Sequence, residues 1–223
     1  MSYFTSVAAI FSRYGRASAA RLLLRCARAI QNQFRTWPEI TNFPAFYAQL
    51  LAPVEAAYGP LDSTQLTPPV TFDEGGAVNL ATVGRDRRLN FVTYVTCELA
   101  CYTNQRPSPV GPFEILLTTN DQGWAQTVLT ALGRLSFDDE LDQGHSVNVG
   151  RIVGPGVSLQ GVIFERFSTT KIAPRHYSIM RCIGITRAEM EWCLNFSPGA
   201  LVKRYKQAGI YPNSDVRRAS VPL

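Results

Sequence analysis

Two β-type runs of the sequence, NFVTYVTCELACY (90–102) and FEILLTT (113–119), are separated only by the turn-like stretch NQRPSPVGP. Both runs are rich in β-branched and aromatic residues, which favour strands. A connection this short joins antiparallel neighbours, because a parallel pair needs a longer crossover that usually contains a helix. The sequence therefore predicts one long strand over 90–102, a second over 113–119, and a sheet that is at least partly antiparallel.

The remaining elements come in blocks rather than in strict alternation. Asn42 and Asp121 are suited to cap the helices that follow them, since their side chains can accept from free backbone amides. Two further strand-like runs, LQGVIFERF (159–167) and YSIMRCIGI (177–185), follow the second helix. The order helix, strands, helix, strands, helices predicts an α+β domain with a mixed, largely antiparallel sheet packed with helices.

The run GITRAEMEWCLNF (184–196) carries a helix start directly after a strand. Thr186 and Glu189 have the spacing of a capping box. Ser197 and Gly209 then bound a further helix. In the tail AGIYPNSDVRRASV, Asp215 is predicted to pair with an arginine two or three residues later. The helix residues predicted to face the core are Met190, Cys193 and Leu194.

The positive charge of the chain is concentrated at its N-terminal end. Residues 1–38 hold six of the 22 basic side chains and no acidic one. Residues 39–223 keep the other 16 basic side chains against 17 acidic ones, a net charge of −1. A nucleic-acid-binding domain needs clustered basic residues on its own surface. The body is therefore not predicted to bind nucleic acid.

The chain divides into a basic, Arg/Ala-rich extension, 1–36, and a domain, 37–223. The extension, helical or disordered, has the composition of an organelle transit peptide. A basic amphipathic helix for a membrane surface and an upstream extension from a misplaced start codon are open alternatives.

Cysteine usage favours a cytoplasmic protein. The five cysteines are an odd number, and no secretory signal precedes them. Buried free thiols in a reducing cytosol are the simplest interpretation. No apolar run reaches the length needed to span a bilayer. The five are Cys26, Cys97, Cys101, Cys182 and Cys193.

The sequence holds no convincing catalytic constellation, and no cofactor or metal site is predicted. The alternative to a binding protein is a cryptic hydrolase or other small-molecule enzyme with a His/Cys or His/Asp pair. It would use His145 or His176 together with Cys97 or Asp121. Cys97 and Cys101 would share one face of a strand, but a zinc site would need two further ligands.

A run of carboxylates is the candidate partner-binding feature. Such a run is commonly only a solvated loop, and the sharper interpretation is a loop that faces a partner. Its members are Asp138, Asp139, Glu140 and Asp142.

Several ordered stretches together resemble the suppressor-of-fused (SUFU-like) domain family, and specifically its bacterial single-domain members. The resemblance covers roughly residues 75–221. It is carried by VTYVTCELACY, PFEILLTTNDQGWAQTVLTALGRLS, GHSVNVG, MRCIGITRAEMEWC and LVKRYKQAGIYPNSDVRRASV.

This resemblance implies a non-enzymatic protein-binding activity. Animal members of the family sequester a transcription factor of the hedgehog pathway. Many bacterial members are similar to immunity proteins of polymorphic toxin systems, which bind and neutralise a cognate toxin. The expected partner is therefore a protein, with a cognate toxin domain as the leading candidate, whereas the oligomeric state is left open.

Overall fold

The computed structural model describes residues 37–67, 79–86 and 90–223. The predicted basic extension, 1–36, lies outside the described residues, and so does Cys26. No helix in the described part of the chain combines the length and the apolar character needed to cross a membrane.

The described chain forms four helices and seven strands, with a short 3-10 helix, Leu99–Cys101, after the third strand. The helices are α1 (Phe43–Tyr58), α2 (Gln122–Asp138), α3 (Arg187–Cys193) and α4 (Pro198–Gln207). The strands are β1 (Leu61–Thr67), β2 (Asn79–Asp86), β3 (Phe91–Cys97), β4 (Phe113–Thr119), β5 (Ser146–Asn148), β6 (Leu159–Ile172) and β7 (Arg175–Thr186).

All seven strands belong to one sheet with the order β1-β2-β3-β4-β7-β6-β5. β4 and β7 pair in parallel, and the other neighbouring pairs are antiparallel. The parallel pair is possible because α2 lies on the connection that returns the chain from β4 to the far half of the sheet. The predicted α+β class with a mixed, largely antiparallel sheet is confirmed.

Helices cover both faces of the sheet. On one face, α2 packs Val128 and Leu132 into a core that includes Cys182 of β7. On the other face, α1 covers Ile179 and α4 covers Ile183 in two separate clusters. Successive side chains of a strand point to opposite faces, so alternate residues of β7 serve the two layers.

The predicted helix starts are confirmed by their caps. Asn42 Oδ1 accepts from Ala45 N at 3.1 Å, and Asp121 Oδ1 accepts from Trp124 N at 2.8 Å. Thr186 forms the capping box with Glu189 at the start of α3. Each side chain satisfies an amide that has no partner within its own helix.

Two local predictions are wrong. The run 90–102 is not one long strand, because β3 ends at Cys97 and Glu98 takes a left-handed backbone conformation with φ 95°. Cys101 then lies in the 3-10 helix, so it shares no strand face with Cys97. Leu194 does not face the core either, since it is 83% exposed.

Candidate functional site

The predicted acidic run lies at the C-terminal end of α2 and in the loop that follows. Asp138, Asp139 and Glu140 are exposed, and none of them forms an ion pair within the described residues. Asp142 differs from these three, because its Oδ1 accepts from Arg166 Nη2 at 2.7 Å and the pair is partly buried. The structure therefore divides the run into three free surface carboxylates and one structural ion pair.

The three free carboxylates lie where a helix tolerates negative charge least. Asp138 is the last residue of α2 and Asp139 is its C-cap, and the last turn holds no basic residue. The C-terminal end of a helix carries a partial negative charge, which disfavours nearby carboxylates by a few tenths of a kcal/mol to about 1 kcal/mol each. This acidic surface is not explained by the stability of α2.

The residues of the enzyme alternative do not meet. His145 is exposed, and its Nδ1 accepts from Asp142 N at 3.2 Å. Cys97 is buried, and burial raises the pKa of its thiol well above the ordinary range. Asp121 is engaged as the cap of α2. Within the described part of the chain, no hydrogen bond joins either histidine to Cys97 or to Asp121.

His176 lies at the start of β7 beside a surface cavity of about 250 Å³. Trp37, Arg175 and the proline-rich loop 107–112 line this cavity with it. The Arg175 guanidinium stacks on the Trp37 ring at 3.9 Å and pairs with Glu39. Because the Arg175 guanidinium is already engaged by these contacts, the arrangement resembles a packed corner more than a catalytic cleft.

A buried carboxylate at the second position of β4 is absent from the residues that the sequence singles out. Glu114 is fully buried, and its Oε1 accepts from Tyr47 Oη at 2.9 Å and from Ala100 N at 3.0 Å. Its Oε2 accepts from Thr96 Oγ1 at 2.7 Å. The sequence does contain a signal for it, because Glu114 interrupts the otherwise apolar start of the run FEILL.

Glu98 is the second carboxylate of this buried acid cluster, which consists of Tyr47, Thr96, Glu98 and Glu114. Burial raises the pKa of Glu98 to about 8 and that of Glu114 to about 7, and the like charge of Glu114 contributes to the raised pKa of Glu98. The Glu98 amide donates to Tyr47 Oη, which fixes the left-handed turn after β3. The cluster is closed to solvent, and its hydrogen bonds join α1 and β3 to β4.

A third buried carboxylate, Glu189, ties the tail to the start of α3. Arg218 donates to both of its oxygens, from Nη1 at 2.6 Å and from Nη2 at 2.7 Å. Tyr205 Oη donates to the same carboxylate at 2.7 Å, and Val221 N donates at 2.9 Å. Burial alone would raise the pKa of Glu189, but the bonds from Arg218 hold it below the ordinary value. We call these residues the tail lock.

The predicted local pairing of Asp215 with Arg217 or Arg218 does not form as an ion pair among the described residues, and the Arg218 guanidinium is bound by Glu189. Asp215 instead accepts from the Arg217 amide at 3.0 Å and from the Asn120 side chain at 2.9 Å. Ser214 Oγ accepts from Gly184 N at 2.8 Å between β7 and the tail. The tail is therefore part of the folded domain and is joined to the start of α3.

These observations define an α+β domain whose C-terminal tail completes the core beside a mixed sheet. The chain belongs to the suppressor of fused family, since the family model for Suppressor of fused protein (SUFU) matches residues 77–219, well over half of its length. A search of curated proteins found no match.

Three solved structures share the fold. A chain of the Sufu–Fu complex is 14% identical, with a TM-score of 0.56, and the match covers 76% of this chain and 89% of that one. A SUFU homologue from Neisseria gonorrhoeae FA 1090 is 16% identical, with a TM-score of 0.55 and coverage of 80% and 98%. Drosophila Suppressor of Fused is 13% identical, with a TM-score of 0.52, and the match covers 65% of this chain and 42% of that one.

Proposed function

We propose that this protein is a non-enzymatic protein-binding module of the cytoplasm, and that it acts as an immunity protein that neutralises a cognate toxin. The observation that carries the proposal is the acidic surface of Asp138, Asp139 and Glu140. These exposed carboxylates lack ion pairs within the described residues. They lie at the C-terminal end of α2, where the helix dipole disfavours negative charge. Charge that is retained at a cost in stability is typical of a binding surface.

Family membership supports the same class of function. One structure that shares the fold is that of a Sufu–Fu complex, in which the domain is solved together with a partner. The candidate enzyme residues also lie apart, with Cys97 buried and His145 exposed. Binding through a surface therefore accounts for more of the observed arrangement than catalysis does.

The acidic surface suits a basic partner. Complementary charge steers two proteins together and raises the association rate, and this effect weakens as salt is added. Enzymes that attack nucleic acid need basic surfaces, so a toxin of that kind would present the complementary charge. In this proposal the three free carboxylates contact the partner, and Asp142 shapes the loop through its ion pair with Arg166.

The test begins with capture of partners from the native host by the tagged full chain, followed by mass spectrometry. The captured partner is then purified, and its association rate is measured at several salt concentrations. Removal of the three free charges in the variant Asp138→Asn/Asp139→Asn/Glu140→Gln is expected to slow association by about tenfold or more at low salt. The salt dependence should decrease in parallel.

A matched control carries the same change in net charge elsewhere. Ala48, Ala52 and Ala56 are exposed along one stripe of α1, which covers the opposite face of the sheet from α2. The triple lysine substitution at these positions also shifts the charge by three units, and it should leave the association rate within about twofold of the unmodified chain, since a distant surface charge is largely screened. Equal effects of the two triple variants, or no effect of either, would contradict the assignment of the acidic surface.

A further inference from the structure

Apolar side chains project into solvent at the turn between α3 and α4. Leu194 is 83% exposed and Phe196 is 54% exposed, although both are large hydrophobic residues. The Phe196 ring stacks on Trp192 with ring centroids 4.4 Å apart. We call Trp192, Leu194 and Phe196 the apolar tip. Two of the four exposed large hydrophobic residues in the described chain, Leu194 and Phe196, lie in the four-residue connection between α3 and α4.

The tip is held by the core beneath it. Glu189 of α3 is bound by Arg218 in the tail lock, and Leu201 and Tyr205 of α4 are buried on the sheet. Phe196 N donates to Trp192 O at 3.1 Å, which closes the turn between the two helices. Exposure of Leu194 and Phe196 is therefore a property of a fixed structure, and it costs free energy because apolar surface stays in water.

The charge around the tip is positive. The Arg204 guanidinium lies over the Trp192 ring at 5.2 Å and forms no ion pair within the described residues. Lys203, the preceding residue of α4, is exposed and likewise has no acidic partner in that part of the chain. Arg187 and Glu191 pair with each other at 3.0 Å, so their charges offset. The surroundings of the tip thus complement a negatively charged surface.

The shape and size of the tip favour a lipid surface over a folded partner. A stable protein interface buries about 800 Å² on each side, which three side chains of one turn do not supply. A projecting group of Trp, Phe and Leu beside Lys and Arg is instead the composition of segments that enter the boundary between headgroups and acyl chains. Basic residues add attraction to anionic lipids.

We propose that the apolar tip docks this protein on an anionic lipid surface. Leu194 and Phe196 insert below the headgroups, Trp192 lies at their level, and Lys203 and Arg204 contact the lipid phosphates. α2 covers the opposite face of the sheet from α4, so the acidic surface is directed away from the membrane and stays open to a protein partner. The proposal is independent of the identity of that partner.

The test is sedimentation of the purified full chain with vesicles of phosphatidylcholine, with or without phosphatidylglycerol. Binding is expected to rise about tenfold when phosphatidylglycerol is present. The variant Leu194→Ser/Phe196→Ser is expected to lose about tenfold in binding, and Lys203→Gln about threefold to fivefold.

Matched controls come from the same chain. Ile152→Ser removes another exposed apolar side chain, 45% exposed in the loop after β5, and Lys171→Gln removes an exposed lysine at the far end of β6. Both control variants should bind vesicles like the unmodified chain. The six arginines of residues 1–36 are present in every variant. If that segment alone binds vesicles, the tip variants will match the controls and the proposal is wrong.

Tryptophan fluorescence gives a second readout that does not depend on sedimentation. Trp192 is partly exposed, as is Trp37 under the Arg175 guanidinium, whereas Trp124 is buried in the core under α2. Anionic vesicles should move the emission of the unmodified chain to shorter wavelength, and Trp192→Phe should abolish this change. If the tip variants weaken binding of a captured protein partner and leave vesicle binding unchanged, the tip belongs to a protein interface and the lipid proposal is overturned. If the protein binds vesicles but captures no toxin, the lipid proposal stands and the proposed function fails.

Discussion

The two buried carboxylate clusters differ in what surrounds the acid. Glu114 and Glu189 are both fully buried. Glu189 is bound at both oxygens by Arg218, whereas Glu114 accepts only from neutral groups, two of them Tyr47 and Thr96. The pKa of Glu189 is consequently lowered, and burial raises that of Glu114 to about 7. The protonation state of a buried acid therefore depends on whether its hydrogen-bond donors are charged, and not on burial alone.

The largest effect is expected from removal of the guanidinium in the tail lock. Arg218→Ala leaves the Glu189 carboxylate buried without its cation, and breaking a buried pair in this way costs about 3–5 kcal/mol. Urea unfolding should show the loss in the free energy of unfolding at neutral pH. The double variant Glu189→Gln/Arg218→Met provides the control, since it should recover part of the loss by removing the unpaired charge. A loss below about 1 kcal/mol in Arg218→Ala would show that the pair is not the main attachment of the tail.

The buried acid cluster should make the protein less stable as the pH rises. Burial raises the pKa of Glu114 from 4.5 to about 7 and that of Glu98 to about 8, so the folded protein keeps protons that the unfolded chain releases. The stabilisation is complete below pH 4.5 and is lost as the pH rises through the folded pKa values. For Glu114 alone the expected loss by pH 8 is on the order of 3 kcal/mol, because a tenfold change in the proton affinity of a group corresponds to about 1.4 kcal/mol.

Glu189 acts in a separate pH window with the opposite sign. Because Arg218 lowers its pKa, its contribution is present above pH 4.5 and is lost as the pH falls through the lowered value. Equilibrium unfolding across the pH range should therefore show a maximum of stability on the acidic side of neutral. Stability that rises steadily from about pH 5 to pH 8 would contradict the assignment for Glu98 and Glu114.

Replacing Glu114 of β4 by a neutral side chain of the same shape tests the difference between the buried acid cluster and the tail lock. Glu114→Gln removes the ionisation and keeps one acceptor oxygen for Tyr47 and the Ala100 amide, while its NH2 group can donate to the Thr96 hydroxyl. It should therefore flatten the fall in stability above neutral pH. Near pH 8 the variant should equal or exceed the unmodified chain, and near pH 5 it should differ by about 1 kcal/mol or less, the usual net value of a rearranged hydrogen bond. Glu189→Gln is the matched control, because it should destabilise the protein across the neutral range, where Arg218 would be left without its carboxylate.

The sequence predicts this fold wherever the signal is local. The caps Asn42, Asp121 and Thr186 are each predicted correctly, because a cap depends on residues three positions apart. The end of β3 is not predicted, since the left-handed turn at Glu98 depends on Tyr47, 51 positions earlier in the chain. The tail pattern likewise pairs Asp215 with Arg217 or Arg218, whereas the Arg218 guanidinium binds Glu189, 29 positions away. Sequence periodicity does not encode such distant contacts.

The sequence shows that the stretch 138–142 is acidic, but it does not show which of these carboxylates are free and which is paired. The sequence presents Asp138 to Asp142 as one run, whereas the structure takes Asp142 into a partly buried pair with Arg166. The exposure of Leu194 escapes prediction for a related reason. The helical pattern of α3 suggests that Leu194 continues its core face, but the helix ends at Cys193 and the chain turns. Where an element ends decides which side chains reach solvent.

The smallest effect concerns the carboxylates that are neither buried nor paired. Asp138 and Asp139 lie at the C-terminal end of α2, so they differ from Glu114 and Glu189 in being repelled by a helix dipole rather than held by donors. Asp138→Asn should raise the free energy of unfolding by about 0.3–1 kcal/mol, because it removes negative charge from that end. Gln143→Glu, in the exposed loop beyond the helix, is a control that should change stability little. If the stabilised Asp138→Asn variant also binds its protein partner more weakly, the charge is maintained for binding at the expense of stability. Unchanged binding would leave only the loss of stability and would remove Asp138 from the proposed contact surface.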